Sequence, residues 1–375
     1  MKYRQNKFYE MSLTDIFISK FLKNNWVIVF FVILLCFVGI SALYSAAGGE
    51  WTPWAKSHLI RSVLGIFLML FISFWPPEIF YKFSVASFII GLFCLIFVKF
   101  FGDGSVQRWM SIGGINVQPS EPIKLALILV LAKYFDSISK IQLKKSFTYV
   151  IPIICILLPG LIVIAQPDLG TGLSIILLGV AILFYIGIPL KIVMFSIVSL
   201  ISLFPIFWHQ LYQYQKNRIL VFLNPQIDHL GSGYQIIQSK IAIGSGGLFG
   251  KGYLLGSQSR LNYLPEKHTD FIFTLISEEM GFLGSMAVIV TFCLLIFLIL
   301  RISFHINSLF SKIVVFGVGC LIFLYLTLNI GMVCGLLPVV GAPLPLISYG
   351  GTSLITVLVG IGLVLSINIH NKSIE

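Results

Sequence analysis

The sequence has few charged residues for its length. Of its 375 residues only 10% are Asp, Glu, Lys or Arg, whereas 58% are hydrophobic and the mean hydropathy is +0.99. Soluble domains carry about 25% charged residues, so a water-soluble fold of this length could not cover its surface with polar groups. A soluble enzyme, a disordered chain and a nucleic-acid-binding module are excluded, since the net charge of +11 is spread over the ends of apolar segments. The sequence predicts an all-α polytopic membrane protein.

Motifs typical of soluble enzymes are also missing. The six cysteines lie in apolar runs without the close pairing of zinc or redox sites, and no G-x-S-x-G nucleophile motif occurs. The glycine-rich run over residues 244–252 departs from a P-loop, because Ser245 replaces the first glycine and Gly252 replaces the final Ser or Thr. This run favours a bent loop, with phosphate contact through backbone amides as the alternative. No nucleotide cofactor is expected.

Long apolar runs divide the chain into membrane spans. About 20 apolar residues cross a bilayer, and runs near that length predict about ten transmembrane helices in a single membrane domain over residues 1–375. The predicted helices cover residues 26–46, 59–75, 80–98, 120–136, 147–165, 171–187, 190–208, 271–300, 313–336 and 346–368.

Basic residues set the orientation of these spans. With both termini in the cytoplasm, the inner segments hold about fourteen Lys and Arg residues, and the short outer loops hold about three, namely Lys56, Lys99 and Arg108. This arrangement leaves one long extracytoplasmic loop, over about residues 209–270, between the seventh and eighth helices. A loop of this length is usually functional. We expect the chemistry on the outer side of the cytoplasmic membrane, where no nucleotide is available.

Charged side chains next to apolar runs are the candidate site residues, because each is costly to place in a membrane. Glu121 and Lys124 share a helix face and form either a structural ion pair or a polar site, with Arg108 upstream. Asp168 and Asp270 each precede a predicted helix and act either as helix caps or as functional acids. His268, close to Asp270, is either a hydrogen-bonded loop residue or a functional one.

Several segments resemble the signature of the SEDS family (shape, elongation, division and sporulation). They occur in family order from the first helix to the last. Residues 336–353 and the IIQSKIAIGSGGLFGKG run resemble the rod-shape branch more than the division branch. The segments are QRWMSIGGINVQPSEPIK (107–124), QPDLGTG (166–172), RILVFLNP (218–225), GYQIIQSKIAIGSGGLFGKG (233–252), LPEKHTDFIFTLISEEMGFLG (264–284) and PLPLISYGGTS (343–353).

The resemblance implies a peptidoglycan glycosyltransferase that polymerises lipid II into glycan strands for wall elongation. It implies a class B penicillin-binding protein as the transpeptidase partner, together with other elongation-complex membrane proteins, and no nucleic acid. The essential family aspartate falls on Asp270, and the family's polar residues on the fourth helix fall on Glu121 and Lys124. The substrate contacts implied by the resemblance are Arg108, Asp168, Arg218 and His268.

The implied reaction suits these residue types. An acceptor hydroxyl attacks the anomeric carbon of lipid II, and polyprenyl diphosphate leaves. Asp270 would accept the hydroxyl proton, and Lys124 and Arg108 would neutralise the leaving diphosphate. A divalent cation, Mg²⁺ or Mn²⁺, would be held by Glu121, Asp168 or the diphosphate. Two alternatives stay open at this point: a lipid II flippase and a non-catalytic scaffold of the elongation machinery.

Overall fold

The computed structural model describes residues 24–102, 108–112, 115–139, 141, 143, 145–189, 191–194, 202, 209, 213–228, 231–260 and 263–371. These residues are mainly helical, with one antiparallel hairpin of β1 (Met110–Ile112) and β2 (Ile115–Val117). The helices are α1 (Trp26–Ala46), α2 (Trp54–Ser73), α3 (Pro77–Phe101), α4 (Pro122–Asp136), α5 (Val150–Ile164), α6 (Leu169–Ile186), α7 (Gln213–Leu223), α8 (Ser232–Ser245), α9 (Ser257–Arg260), α10 (Ile272–Phe304), α11 (Leu309–Val333) and α12 (Gly351–Asn371).

The predicted all-α membrane fold is confirmed. Within the described part of the chain, eight helices are long and apolar enough to cross a membrane: α1, α2, α3, α5 with the 3₁₀ turn before it, α6, α10, α11 and α12. Helix α4 coincides with the predicted fourth span, but its 15 residues reach only about 22 Å. The predicted span over residues 190–208 lies almost wholly outside the described residues. The region predicted as the long loop contains the short helices α7, α8 and α9.

Two helices form the centre of the bundle. Helix α12 is buried along most of its length and α11 along two thirds of it, whereas less than a quarter of α3 is buried. Small residues let the backbones approach, as is typical of membrane helices. A Cβ at Gly362 would lie 2.8 Å from the Met69 carbonyl oxygen of α2, and a Cβ at Gly172 would lie 2.9 Å from the Gly160 carbonyl oxygen of α5. On α11, the polar side chains of Tyr325 and Asn329 are buried in this centre.

Helix α10 is broken near its N-terminal end. Gly281 has φ 65° and ψ −161°, which interrupts the helix after its first nine residues. The residues that follow, 282–300, form an apolar run of membrane-spanning length. The break therefore separates an N-terminal segment, which begins just after Asp270, from the membrane-spanning part of α10.

Candidate active site

Glu121 and Lys124 form a closed polar cluster with Tyr325. The Lys124 Nζ donates to Glu121 Oε1 at 2.7 Å and to the Tyr325 hydroxyl at 2.8 Å, and the Tyr325 hydroxyl donates to Glu121 Oε2. The ammonium also lies 4.5 Å from the centre of the Tyr325 ring. All three residues are buried. The predicted pairing of Glu121 with Lys124 is confirmed, and Tyr325 of α11 completes it.

Asp168 caps helix α6, so the capping interpretation of this residue is confirmed. Its Oδ1 accepts from the Thr171 backbone N–H at 3.2 Å, and its Oδ2 accepts from the Thr171 hydroxyl at 3.0 Å and from Gln118 Nε2 at 3.3 Å. Arg108 Nη1 lies 3.8 Å from the same Oδ2. The Arg108 guanidinium also donates to the backbone carbonyls of Gln166 and Pro167. Arg108 and Asp168 are therefore one unit, which joins the hairpin region to the α5–α6 turn.

Asp270 does not cap helix α10. The helix begins at Ile272, and the cap position is Phe271, which makes no side-chain cap bond. The backbone around Asp270 is fixed from the segment between α11 and α12: the Ser348 hydroxyl donates to the Thr269 carbonyl at 2.6 Å. A Cβ at Gly341 would lie 3.3 Å from Asp270 Oδ2, and Gly341 has φ +71°. The backbone of Gly341 thus forms the wall beside the carboxylate.

The Asp270 carboxylate is partly buried but has no hydrogen-bond donor among the described residues. Burial raises the pKa of Asp270 from 3.8 to about 6, and the negative charges of Glu266 and Asp168 act in the same direction. Arg218 opposes them by lowering this pKa. The structure therefore brings Asp270, Asp168 and Arg218 close enough to interact electrostatically. It also gives Asp270 a basicity that suits proton transfer near neutral pH.

His268 is packed between aromatic side chains. Its ring stacks on Trp54 of α2, with ring centres 4.3 Å apart and an interplanar angle of 8°, and its carbonyl accepts from the Tyr349 N–H at 2.9 Å. Partial burial lowers the pKa of His268, which keeps the imidazole neutral near pH 7. The Arg61 guanidinium lies 4.9 Å from the centre of the Tyr349 ring. These contacts fix the loop before Asp270 against α2.

The glycine-rich run is a backbone packing element. The N–H groups of Lys251 and Gly252 donate to the carbonyls of Glu278 and Glu279, both at 3.0 Å, and the N–H of Phe282 donates to the Gly247 carbonyl at 2.8 Å. A Cβ at Gly250 would lie 2.0 Å from the Glu279 carbonyl oxygen. The run therefore fits into the break of α10, as the bent-loop interpretation predicts. Its glycines serve close backbone approach.

The same loop accounts for the two buried acids of α10. Glu278 Oε1 accepts from Lys251 Nζ at 2.7 Å, from the Ser257 hydroxyl at 3.1 Å and from the Gln258 N–H at 3.0 Å. Glu279 Oε1 accepts from the Ser45 hydroxyl of α1 at 2.5 Å. The two carboxylates thus hold residues 251–258 and α1 against the N-terminal segment of α10.

The donor sets of Glu121 and Asp168 do not suit a protein-held metal ion. Both Glu121 oxygens are engaged, and the Lys124 ammonium beside them would repel a cation. Both Asp168 oxygens accept hydrogen bonds and Oδ2 faces Arg108. In the part of the chain that the structure describes, no group of three or more His, Cys, Asp and Glu residues could hold a metal ion.

Tyr325 and Asn329 are site residues that sequence reasoning missed. They lie one turn apart on α11, where Tyr325 contacts Glu121 and Lys124, and the Asn329 Nδ2 donates to the Asp270 carbonyl at 2.8 Å. The available signal for Asn329 was an amide side chain within an apolar helix, because polar residues are costly to place in a membrane-spanning segment and usually have a structural or functional role.

Comparisons with known proteins agree with this arrangement. The family model of the cell cycle proteins FtsW, RodA and SpoVE matches residues 21–373. The peptidoglycan glycosyltransferase MrdB of Escherichia coli K12 is 39% identical over 349 residues, which cover 92% of this chain and 94% of the relative. The peptidoglycan glycosyltransferase RodA of Treponema pallidum is 30% identical over 423 residues, which cover 92% of this chain and 97% of the relative.

Solved structures share the fold. A chain of a peptidoglycan synthase complex, described as coordinating polymerization and crosslinking, superposes with a TM-score of 0.80 at 28% identity, covering 93% of this chain and 98% of that one. The rod shape-determining protein RodA of Thermus thermophilus superposes with a TM-score of 0.68 at 25% identity, covering 92% of this chain and 96% of that one.

Proposed function

Since the chain belongs to the cell cycle protein family of FtsW, RodA and SpoVE, it is a multi-pass bacterial membrane protein and a peptidoglycan glycosyltransferase, and we propose that Asp270 is the general base of its reaction. The observation that supports this role is the environment of the Asp270 carboxylate. It is desolvated, its pKa is raised to about 6, and none of the described residues donates a hydrogen bond to it. A carboxylate in that state is a stronger base than an ordinary aspartate and is still largely ionised at pH 7.

The proposed substrate is lipid II. One lipid-linked molecule is the glycosyl donor, and a second one supplies the acceptor hydroxyl. The acceptor hydroxyl gives its proton to Asp270 while its oxygen bonds to the anomeric carbon of the donor. The bond from that carbon to the diphosphate breaks, and polyprenyl diphosphate leaves with the electron pair. The donor carries its own activation, so no nucleotide is needed.

An apolar cavity beside the polar site suits the polyprenyl chain. Its volume is about 530 Å³, and it runs between α2, α3, α4, α12 and the hairpin. Its lining extends along α4 from Pro122, the residue after Glu121, to Leu129, a rise of about 10 Å. A lipid tail held there would place its diphosphate near the outer end of α4.

Arg108 and Arg218 are the proposed diphosphate contacts. The Arg108 side chain is 26% exposed, and Arg218 interacts electrostatically with Asp270. Lys124, by contrast, is only 1% exposed and is already bonded to Glu121 and Tyr325. We therefore assign Glu121 and Lys124 to orienting the outer end of α4. A divalent cation, Mg²⁺ or Mn²⁺, would be brought by the diphosphate of the substrate.

The proposed setting is the outer face of the inner membrane, in complex with a class B penicillin-binding protein. The basic residues of the sequence favour the cytoplasmic side for both termini, and this places Asp270 outside. The similarity to a chain of a peptidoglycan synthase complex supports a transpeptidase partner. Partner binding to the outer loop region would raise the activity of the isolated chain, and other elongation-complex membrane proteins would join the assembly.

Purified protein with labelled lipid II tests this function, with and without the partner, scored as glycan polymer on a gel. Asp270→Asn keeps the size of the side chain but removes its basicity, so polymer formation should fall at least about a hundredfold. Asp228→Asn is the matched control in the same loop, because Asp228 accepts hydrogen bonds from its own turn, including the Gly231 N–H. Its activity should be unchanged.

A translocation assay in liposomes, run beside the polymer assay, separates the enzyme from a flippase. The polymerase assignment predicts that Asp270→Asn loses polymer, whereas loss of lipid translocation with polymer retained would favour the flippase. Near-normal polymer from Asp270→Asn would contradict the general-base role.

A further inference from the structure

Asn329 holds the two backbone segments on either side of the Asp270 carboxylate. This side chain is fully buried in α11. Its Nδ2 donates to the Asp270 carbonyl at 2.8 Å and to the Ala342 carbonyl at 2.7 Å. Ala342 follows Gly341, whose backbone forms the wall beside Asp270 Oδ2. One amide group thus fixes both the residue that carries the base and the segment that the base faces.

The same helix holds the other half of the site one turn away. Tyr325 precedes Asn329 by four residues, and residues with that spacing lie on one helix face about 6 Å apart along the axis. Tyr325 bonds to both Glu121 and Lys124 of the α4 region. Helix α11 therefore makes one rigid connection between the segment before α10 that carries Asp270, called here the Asp270 loop, and the outer end of α4.

Packing alone does not explain an asparagine at position 329. The Asn329 Oδ1 is buried and has no hydrogen-bond partner within the described part of the chain. A buried polar atom without a partner destabilises the fold, and an apolar side chain of similar size would avoid that cost. The two hydrogen bonds of Nδ2, both directed to the Asp270 site, are what the asparagine contributes.

We propose that Asn329 is a positioning residue for Asp270, and that α11, through Tyr325 and Asn329, sets the spacing between the base and the Glu121–Lys124 pair. This inference rests on the proposed role of Asp270 as the general base. Asn329 touches no reacting atom in this scheme. It acts by holding the Asp270 backbone, and displacements of about 1 Å in such a group can cost on the order of a hundredfold in rate.

Asn329→Leu tests the proposal in the full-length protein with its partner and labelled lipid II. The leucine fills the site and removes both donors, so kcat should fall at least tenfold while KM for lipid II stays within twofold. Asn368→Leu is the matched control, since Asn368 is a buried asparagine of α12 whose Nδ2 has no partner among the described residues. Its kcat should match the parent.

A second background separates positioning from a general structural defect. In the Asp270→Asn protein, adding Asn329→Leu should change the residual rate less than twofold, because there is no base left to position. An equal fall in both backgrounds, or an unchanged kcat for Asn329→Leu alone, would overturn the proposal.

Folding is checked by size exclusion and thermal melting, and Asn329→Ser is measured by the same criteria if the leucine variant does not fold. The serine keeps a polar side chain that is too short to reach both carbonyls, so the same loss of kcat is expected. Retained polymerisation by Asp270→Asn alone would contradict the proposed function instead. The two failures are thus distinguishable.

Discussion

The Glu121–Lys124–Tyr325 cluster and the Asp270 loop are two polar regions that the protein holds in opposite ways. In the cluster, each charged side chain has a side-chain partner, and within the described part of the chain the three side chains hydrogen-bond to one another alone. In the loop, the backbone is held by Asn329 and Ser348, while the carboxylate of Asp270 has no donor among the described residues.

This difference distinguishes a structural role for the cluster from a catalytic role for the Asp270 loop. A fully bonded ion pair fixes the geometry of two helices, but it has no free capacity to take up a proton. An unpaired carboxylate in a desolvated loop is unfavourable for folding, and for the same reason it is a better base. Among the described residues, the Glu121–Lys124–Tyr325 cluster is therefore closed by its own hydrogen bonds, whereas the Asp270 carboxylate accepts none.

Breaking the cluster should give the largest stability effect. Lys124→Ala leaves the Glu121 carboxylate buried without its counter-ion, and breaking a buried pair in this way costs about 3–5 kcal/mol. We expect a large fall in melting temperature of the purified protein, with a loss of activity that follows from unfolding.

The matched control replaces both charges. Glu121→Gln combined with Lys124→Met removes the pair without leaving a buried charge, so most of the stability should return. If the double variant is stable and still polymerises lipid II, the cluster is structural. If it is stable and inactive, the pair takes part in the reaction, which would contradict its assignment as support.

The sequence predicted the fold and the acids of the site for clear physical reasons. Apolar runs of membrane length can only be helices in a bilayer, so the span predictions at α1, α10 and α12 agree with the structure to within a few residues at most ends. The pairing of Glu121 with Lys124 followed from their spacing on one helix face. Asp168 as a cap followed from its position before α6.

Contacts between distant segments could not be predicted in the same way. Local sequence left open whether Asp270 is a helix cap or a functional acid, and the cap alternative is wrong, because the turn after Glu266 continues through Phe271 before the helix begins. The role of Asn329 depends on α11 lying beside both the Asp270 loop and Ala342, and no local pattern encodes that. Likewise, the packing role of the glycine-rich run depends on the break in α10, which the sequence did not predict.

The packing of the glycine-rich run against α10 can be weakened by a substitution at Gly281. At φ 65° a side chain is strained, and a Cβ there would lie 2.3 Å from the Gly250 backbone nitrogen. Gly281→Ala should therefore cost about 1–3 kcal/mol and should separate the glycine-rich run from α10. Gly244→Ala is the control from the same run, because a Cβ at Gly244 meets no atom within 4 Å. Thermal melting and protease sensitivity of residues 246–258 report the difference, and equal behaviour of the two variants would contradict the packing role of the break.

The smallest expected effect is a shift in pH dependence, and it tests the electrostatics of the unpaired acid. With a pKa of about 6 for Asp270, the rate should rise with pH and level off above that value, since only the ionised form accepts a proton. Arg218 lowers this pKa and Glu266 raises it. Arg218→Gln should therefore move the acidic limb of the kcat/KM profile to higher pH, and Glu266→Gln should move it to lower pH.

Two features make the assignment of that limb specific to Asp270. His268 also has a shifted pKa, but the charges that act on it within the described residues are Glu266 and Lys267, so an effect of Arg218→Gln identifies Asp270. Lys216→Gln removes a positive charge from the same helix, α7, and should leave the limb in place, because Lys216 is not among the charges that shift Asp270. Shifts of the same sign in the Arg218 and Glu266 variants would contradict the assignment of the limb to Asp270, and an equal shift in the Lys216 variant would show that the limb reports the net charge of the loop. In that case the raised basicity of one unpaired carboxylate would not be the property that sets the rate.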